Sequence, residues 1–360
     1  MRPMRWTRHA VGACLLCAVL APGAGAAEKA AAKADAASQP ADYPKMSLSN
    51  GVVKLTVHLP DGKNGYYRGS RFDWSGVVGR VEYKGHTFFG PWHSKHDPAG
   101  HDAIEGTAEE FSMFKPLGFD EVQAGGVFYK IGIGGLTRTE KLVKDKATGR
   151  MVPQEYSFWG RYRIAKLGEW KVTRGETWVQ FVQDFTGERD WGWHYTKRIS
   201  LVAGSPAFTI SRRLENTGKK AIDTTHYCHN FTLIDDQPVG PDYSVVLPFN
   251  ARVEELKGTL AKVEGREIVF LGPLTGGKTV WMELGGLRGT ALDNAAAVAN
   301  RKTGASVTIT GDRPLLKYRF WATALAACPE PFVAVKLAPG TSMSWSNTYT
   351  FGVFEAKKAG

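Results

Sequence analysis

Short segments in which apolar and polar residues alternate recur through most of the chain. The clearest are rich in Val, Ile, Thr and aromatic residues, and they are residues 52–59, 178–183, 207–212, 306–310 and 332–337. Period-two segments of this length are typical of β-strands with one buried face. After the N-terminal leader, no stretch of twelve residues shows a helical period. The sequence therefore predicts an all-β protein built from antiparallel strands.

The spacing of these segments favours a single large domain. Turn formers such as Asp61-Gly62, Asn64-Gly65 and Pro339-Gly340 separate them, and the 360-residue chain contains 41 glycines. No change of composition and no Pro/Ser-rich linker divides residues 45–357. A small barrel would close with far fewer residues, so we expect two extended antiparallel sheets packed as a large two-sheet supersandwich.

The N-terminus resembles an export signal. Arg2, Arg5 and Arg8 precede an apolar run at residues 10–20, and a small-x-small cleavage sequence ends at Ala26. The run is shorter than the roughly 20 residues that span a bilayer, so we expect a signal peptide at residues 1–26 and no membrane span. A lipoprotein signal at Cys14 is the alternative. Residues 27–44 contain little to bury and are expected to be a disordered linker. The predicted location is periplasmic or secreted.

The charge of the chain suggests a partner. The net charge is +11, and removal of the three leader arginines lowers it to +8. An excess of this size raises nucleic acid as a partner, but no basic helix or nucleic-acid motif accompanies it. We therefore expect no nucleic acid, and we expect a mono- or polysaccharide, with an acidic glycan favoured by the positive charge.

Histidines concentrate in a loop-like segment at residues 85–102. Its imidazoles and carboxylates could bind sugar hydroxyls, or they could simply be solvated. A metal at His93, His96 and His101 is a third option, because His nitrogen suits zinc and similar ions. The spacing matches no metal template. We therefore expect no metal and no cofactor.

A second histidine segment, residues 225–233, has the composition of a strand. Alternate residues of a strand point to opposite faces of its sheet. His226, Cys228 and Asn230 would thus face one way, and Tyr227 and His229 the other. A histidine on a rigid strand is well placed to move protons or hold a sugar hydroxyl. It could equally be a core histidine that bonds a backbone carbonyl.

Glu330 lies between Pro329 and Pro331, just before the predicted strand at residues 332–337. Neither proline can donate to a β-ladder, and both stiffen the backbone. Such rigidity would fix the direction of a catalytic base. The alternative is an exposed glutamate at the entry of an edge strand.

Six short motifs follow one another in a recognisable order. They are residues 69–76 (GSRFDWSG), 193–201 (WHYTKRISL), 213–218 (RLENTG), 226–231 (HYCHNF), 328–331 (CPEP) and 337–340 (LAPG). The order resembles the galactose mutarotase-like superfamily, where a Leu-x-Asn-Thr-Gly turn precedes a histidine strand and a Leu-x-Pro-Gly turn precedes the last strand. The superfamily includes aldose 1-epimerases and domains of polysaccharide lyases and glycosidases. The resemblance implies the same fold for residues 45–357.

The resemblance also implies an epimerase chemistry. Glu330 would take the proton of the anomeric hydroxyl and His229 would protonate the ring oxygen, with His226 as the alternative acid. An arginine at the position of Arg71 often touches substrate in this family. The expected substrate-binding residues are Arg71, Tyr227, Asn230, Trp92 and His93. We therefore expect a secreted, aldose 1-epimerase-like enzyme that interconverts sugar anomers.

Two other functions remain open. A polysaccharide lyase acting on a uronate-containing glycan needs a base and a group that neutralises the carboxylate. Tyr227 or His229 could be the base, and Arg71, Asn230 or Lys197 the neutralising group. A non-catalytic carbohydrate-binding domain would instead use exposed aromatic platforms. The candidates for such platforms are Trp74, Trp92, Trp159, Trp191 and Trp193.

Two cysteines, Cys228 and Cys328, lie outside the leader. An oxidising compartment would allow them to pair. Strand parity argues against the bond, because Cys328 would share a face with Glu330 whereas Cys228 would lie opposite His229.

Overall fold

The computed structural model describes residues 42–144 and 146–356 of the chain. Nearly all regular structure in these residues is β-strand, joined by turns and two single-turn 3-10 helices at Phe119–Glu121 and Ala291–Asp293. The strands are β1 Lys45–Ser49, β2 Lys54–His58, β3 Val77–Tyr83, β4 His86–Phe88, β5 Gly106–Phe111, β6 Val127–Lys130, β7 Gly134–Thr137, β8 Leu142–Lys144, β9 Met151–Pro153, β10 Ile164–Leu167, β11 Lys171–Arg174, β12 Trp178–Thr186, β13 Gly192–Leu201, β14 Ala207–Asn216, β15 Ile222–Phe231, β16 Tyr243–Val246, β17 Arg252–Lys257, β18 Ala261–Glu264, β19 Glu267–Phe270, β20 Val280–Gly285, β21 Ala295–Asn300, β22 Ala305–Gly311, β23 Lys317–Thr323, β24 Ala326–Leu337 and β25 Ser342–Val353.

Two large sheets dominate the domain. One has ten strands in the order β11-β12-β13-β14-β25-β22-β21-β16-β19-β18, and the other has six in the order β17-β20-β23-β24-β15-β5. Their neighbouring strands pair antiparallel throughout. The expected all-β, two-sheet antiparallel architecture is confirmed. Smaller sheets, β1-β2-β3-β4, β10-β7-β6 and the hairpin β8-β9, accompany the two large ones.

Alternating burial along the strands builds the core. In β12, Val179, Phe181 and Phe185 are buried while their neighbours reach the surface, and β13 repeats this pattern. The six-stranded sheet contributes side chains such as Met282 and Phe320 to the same hydrophobic cluster. Burial of each such side chain contributes about 1.5–3 kcal/mol. The period-two pattern in the sequence is thus the pattern of sheet faces.

The six-stranded sheet begins at a glycine that no other residue could replace easily. Gly106 opens β5 with a φ of 67°, and a Cβ added there would lie 1.5 Å from the carbonyl oxygen of Val78. Only glycine allows the backbone to pass this close in the left-handed region. This close passage positions β5 beside β15, with which it pairs from His226 to Phe231.

The expected signal peptide, residues 1–26, and most of the expected linker, residues 27–44, lie outside the described residues. The described chain starts packing on the domain before β1. Tyr43 makes an edge contact with Tyr66 at 5.4 Å, and the carbonyl of Pro44 accepts a 2.8 Å hydrogen bond from the amide of Leu59. Among the described residues, none forms a helix long and apolar enough to cross a membrane.

Candidate functional site

His229 and Glu330 lie side by side on neighbouring strands of the six-stranded sheet. Strands β15 and β24 pair up to Tyr227 and Phe332, and the same register returns at the bridge between Thr232 and Ala327. This register places His229 opposite Glu330. Their side chains approach to 3.2 Å between Nε2 and Oε1. Two residues 101 positions apart in the sequence therefore form one acid–base pair.

The prolines around Glu330 interrupt a central strand. Glu330 was expected just before a strand, with an exposed edge position as the alternative, but β24 starts at Ala326 and lies between β23 and β15. Glu330 is only 3% exposed. Because Pro329 and Pro331 have no N–H, the backbone hydrogen bonds between β24 and β15 are interrupted there. The amide of Asn230 fills part of the gap, since its Nδ2 donates to the Pro329 carbonyl at 2.8 Å.

The pair opens into a cavity of about 530 Å3 on the face of the six-stranded sheet that points away from the ten-stranded sheet. Segments around Arg71, Asp102 and residues 158–159 line it as well. Six aromatic rings contribute to its wall, and they are Phe114, Phe158, Trp159, Phe231, Trp281 and Trp321. An apolar, ring-lined cavity with a few convergent polar groups is the usual form of a small-molecule site.

Burial controls the protonation of the pair. Loss of solvent raises the pKa of Glu330 from 4.5 to about 8, although Arg71 and Arg319 act in the opposite direction. Burial, and then the charge of Arg71, holds the pKa of His229 well below its usual range. At neutral pH the transferable proton of the pair therefore resides on Glu330 and the imidazole is neutral. The Nδ1 atom of His229 is buried and has no hydrogen-bond partner among the residues that the structure describes.

Arg71 is held rigidly beside the pair. Its Nε donates to Glu110 at 2.9 Å and its Nη2 donates to the Tyr227 hydroxyl at 2.8 Å. Its Nη1 contacts His101 and Asp102. Glu110 also binds Lys130 at 2.8 Å, so two cations offset its buried charge. Burial alone would raise the pKa of Glu110, but Lys130 and Arg71 outweigh it and lower that pKa.

The structure separates the two candidate acid histidines. His226 faces the ten-stranded sheet, where its Nε2 lies 3.0 Å from Glu109 and its Nδ1 accepts from Trp345 at 3.2 Å. Asn230 faces the same way and accepts a 2.8 Å hydrogen bond from Tyr349. Neither lines the cavity that holds His229. Lys197, the third neutralising candidate, also lies between the sheets, 2.9 Å from Glu109.

The remaining predicted residues surround the cavity without lining it. Tyr227 is fully buried, and its hydroxyl is shared by Glu110 at 2.9 Å and Arg71 at 2.8 Å. Trp92 stacks on Phe231 at 5.1 Å, and its indole N–H donates to a backbone carbonyl at 2.8 Å. The imidazole of His93 is exposed and lies 3.0 Å from the backbone oxygen of Asp102.

The histidine-rich loop does not gather its imidazoles into one metal site. The Nε2 atoms of His93 and His96 contact separate backbone carbonyls, and that of His101 contacts Arg71 at 2.8 Å. Within residues 42–144 and 146–356, one group of side chains has metal-like spacing, formed by Glu109, His226 and Cys228. It does not suit a cation, because Arg212 already binds Glu109 through two nitrogens, at 2.6 and 2.9 Å.

Two further expectations depend on burial. Of the five candidate tryptophan platforms, Trp159 is 64% exposed and lines the cavity, whereas Trp74, Trp191 and Trp193 are buried. Within the described part of the chain, Cys228 and Cys328 are both buried and free. Cys228 lies near Arg212 and Asn347 between the sheets, whereas Cys328 packs in a separate cluster with Phe231, as strand parity predicted.

Sequence reasoning missed several residues of the site. Glu110 anchors Arg71, and Arg319, Trp321 and Trp281 line the cavity. The alternating segment at residues 317–323 carried a signal for two of them, since Arg319 and Trp321 share one face of β23. Nothing in the sequence distinguishes Glu110 from its neighbour Glu109.

Several solved structures are similar to this chain over most of its length. No family model and no curated protein matches the sequence. The Slr1438 protein from Synechocystis sp. PCC 6803 is similar over 88% of this chain and 99% of its own, with 12% identity and a TM-score of 0.52. A galactose mutarotase-like protein from Lactobacillus casei ATCC 334 gives 13% identity, 86% and 100% coverage and a TM-score of 0.48. The GalM/aldose epimerase homologue from C. elegans is 13% identical, is similar over 86% of this chain and 99% of its own, and has a TM-score of 0.47.

The fold and the cavity define the class of this protein. It is an all-β protein with a galactose mutarotase-like fold, and a buried Glu–His pair opens into a ring-lined cavity on one of its sheets. The fold expected from the sequence is confirmed at this level. An identity of 12% at a TM-score of 0.52 shows a shared fold and does not show the reaction.

Proposed function

We propose that this protein is a carbohydrate-active enzyme of the aldose 1-epimerase type, which interconverts the anomers of a sugar. One observation carries the proposal: His229 and Glu330 form a buried pair at 3.2 Å, with a pKa shift that leaves one transferable proton, inside a cavity lined by aromatic rings. Perturbed titratable groups in a cavity are the usual mark of acid–base catalysis. Aromatic rings also supply the flat apolar surface on which a sugar ring can stack.

The reaction needs two proton transfers at adjacent atoms. In ring opening, the O1 hydroxyl loses its proton, the C1–O1 bond becomes a carbonyl, and the C1–O5 bond breaks as O5 gains a proton. Rotation about C1–C2 and closure on the other face give the second anomer, and both proton transfers run in reverse. O1 and O5 are both bonded to C1, so the acid and the base must be close neighbours. The spacing of His229 and Glu330 meets this requirement.

The resting proton suggests which group acts first. The pKa of about 8 leaves Glu330 protonated at neutral pH, and the low pKa of His229 leaves its imidazole neutral. In opening, Glu330 would therefore donate to O5 and His229 would accept from O1. In closure the two roles reverse. This order is opposite to the one that the family resemblance implies, but the same two residues carry it.

A lyase is the second candidate, because Arg71, Lys257 and Arg319 bring positive charge to the cavity. Tyr227 is poorly placed as its base, since the ring is fully buried and its hydroxyl is held by Arg71 and Glu110. His229 is the better base for elimination. A binding domain without turnover is the third outcome.

The test combines polarimetry and ultraviolet absorbance on a panel of neutral and acidic sugars and glycans. An epimerase speeds the optical relaxation of a fresh α-sugar, and Glu330→Gln removes the acceleration while circular dichroism stays native. A lyase generates absorbance from an unsaturated product. If wild-type protein leaves every aldose at its spontaneous rate, the proposal is wrong.

We also propose that the protein is exported and acts outside the cytoplasm. The basic start, the apolar run and the small-x-small sequence ending at Ala26 support it. N-terminal sequencing of protein recovered from the periplasm or medium should begin at Ala27. Intact Met1 on protein confined to the cytoplasm would contradict the proposal.

A further inference from the structure

Arg319 occupies a position in the cavity that the epimerase chemistry leaves unused. It lies on β23 directly between Glu283 on β20 and Glu330 on β24, in register with both. Its side chain is 14% exposed and faces the cavity. A cation is therefore the cross-strand neighbour of the catalytic glutamate.

The guanidinium of Arg319 is fixed in place but not saturated. Its Nε donates to Glu283 at 2.8 Å, and its central carbon lies 4.9 Å from the ring centre of Phe114 and 5.2 Å from that of Trp281. Across residues 42–144 and 146–356, the structure shows no hydrogen bond to either Nη of Arg319. An arginine has five N–H donors. Within the described residues, only the Nε–H of Arg319 is used, so the four N–H groups of its two Nη atoms can still donate to a ligand.

The other cations of the cavity differ from Arg319. All three nitrogens of Arg71 have partners among Glu110, Tyr227, His101 and Asp102. Lys257 is 70% exposed and lies 3.1 Å from Glu255, so its charge is screened by water and locally balanced. Arg319 is the cation that combines a fixed position, partial burial and free donors.

We propose that Arg319 binds the carboxylate of an acidic sugar through its two Nη groups, so that the substrate of the proposed epimerase is a uronic acid or a glycan that ends in one. The inference rests on the proposed function and names its substrate class. A planar guanidinium edge matches a carboxylate with two parallel hydrogen bonds. The net positive charge of the chain acts in the same direction by attracting an anionic ligand.

The chemistry of a hexuronate fits the order of the strands. Its C5 atom carries both the ring oxygen and the carboxylate, so the protein groups that meet them must be adjacent. Glu330, proposed to donate to the ring oxygen, and Arg319 are cross-strand partners. The cavity of about 530 Å3 has room for the sugar, and Trp321, on the same strand face as Arg319, adds an aromatic wall.

Isothermal titration calorimetry tests the proposal with methyl glycosides of glucuronate and galacturonate against those of glucose and galactose. Methyl glycosides cannot open their rings, so binding is measured apart from turnover. We expect the dissociation constants of the uronate glycosides to be about 10- to 100-fold lower than those of the neutral glycosides. This ratio corresponds to the free energy of one charge-assisted hydrogen bond. Arg319→Gln should remove this preference for uronates, because it lowers the affinity for the uronate glycosides more than the affinity for the neutral ones. Arg319→Lys keeps the positive charge but cannot make two parallel hydrogen bonds to a carboxylate, so it should retain part of the uronate preference.

Lys257→Gln is the matched control, since it removes a cation of the same cavity and should preserve the preference. Equal affinity for acid and neutral sugars in wild-type protein would overturn the proposal. So would a preference that survives Arg319→Gln, or one shown only by a hexose 6-phosphate or 6-sulfate titrated in parallel. An Arg319-dependent uronate preference without mutarotation would support this site and reject the epimerase. Mutarotation of neutral sugars, without a preference for uronates, would support the epimerase and reject the proposed carboxylate site at Arg319.

Discussion

Glu109 and Glu110 are neighbours in sequence but serve opposite faces of the six-stranded sheet. Glu109 points between the two large sheets, where it binds Arg212 at 2.6 Å and Lys197 at 2.9 Å. Glu110 points toward the cavity and binds Arg71 at 2.9 Å. One strand, β5, thus provides an ion-pair centre for the core with one residue and a brace for the candidate site with the next.

The buried ion pair of Glu109 gives a stability prediction. Glu109→Gln should lower the free energy of unfolding by about 3–5 kcal/mol, because it leaves Arg212 buried without its counter-charge and Lys197 with only Asp73, at 3.6 Å. Urea denaturation followed by tryptophan fluorescence measures the effect. Glu264→Gln is the control, since the pair with Lys262 is about half exposed and should change stability by at most about 0.5 kcal/mol. Equal effects of the two substitutions would contradict the prediction.

The two histidines of β15 should separate catalysis from stability. His229→Asn should lower the mutarotation rate by about 10²–10⁴-fold, the usual contribution of a positioned acid–base group, with little loss of stability. His226→Asn should keep kcat within about threefold but lower the melting temperature, because it disturbs the contacts to Glu109 and Trp345. Polarimetry and thermal melts on both variants provide the comparison. A catalytic loss confined to His226→Asn would reverse the assignment.

Glu330 should make stability depend on pH. Its folded pKa of about 8 lies above the unfolded value near 4.5, so the folded state holds a proton that the unfolded state releases between these values. The stabilisation of the folded state by this proton is complete below pH 4.5 and is lost as the pH rises through about 8. Between pH 5 and 8 the wild-type protein should lose on the order of 3 kcal/mol relative to Glu330→Gln. Parallel curves for the two proteins would show that burial does not raise this pKa.

The same proton sets the pH profile of the proposed reaction. Glu330 is faced by His229, Arg71, Arg319 and Asp102, and with its pKa near 8 it is protonated at neutral pH. If it is the resting donor, kcat/KM should hold from pH 6.5 to 7.5 and decline above about 8, where that proton is lost. A stopped-flow or polarimetric profile measures this. A rate that instead climbs through pH 8 would make Glu330 the resting base.

The two cysteines should behave as buried thiols. Burial raises the pKa of Cys228 to about 11 and that of Cys328 well above its usual value. Iodoacetamide should label neither in the native protein and both after unfolding without reductant, because only the thiolate reacts and access is closed. Peptide mapping identifies the labelled sites. A disulfide-linked peptide that contains both cysteines would contradict the structure.

Much of the fold is readable from local pattern. The alternation at residues 178–183 and 306–310 lies within β12 and β22, because a half-buried strand must alternate its side chains between core and solvent. At Glu330, the local sequence pattern does not predict the position of the strand in the sheet. The prolines that flank Glu330 argue locally for an edge or an entry. The strand β24 is nevertheless central, and the amide of Asn230 fills part of the gap that the prolines leave.

In the candidate site, too, some features follow from local sequence and others only from the three-dimensional structure. Because strand geometry has a period of two residues, the local sequence already indicates that His226 and His229 face opposite sides of one strand. The side that carries the cavity follows from the packing of the two sheets, and Glu330 lies opposite His229 through a strand register that no local pattern encodes. The tertiary structure also gives Glu109 and Glu110 different roles, since buried charge is tolerated only where distant residues such as Arg212 and Lys130 supply the counter-charge.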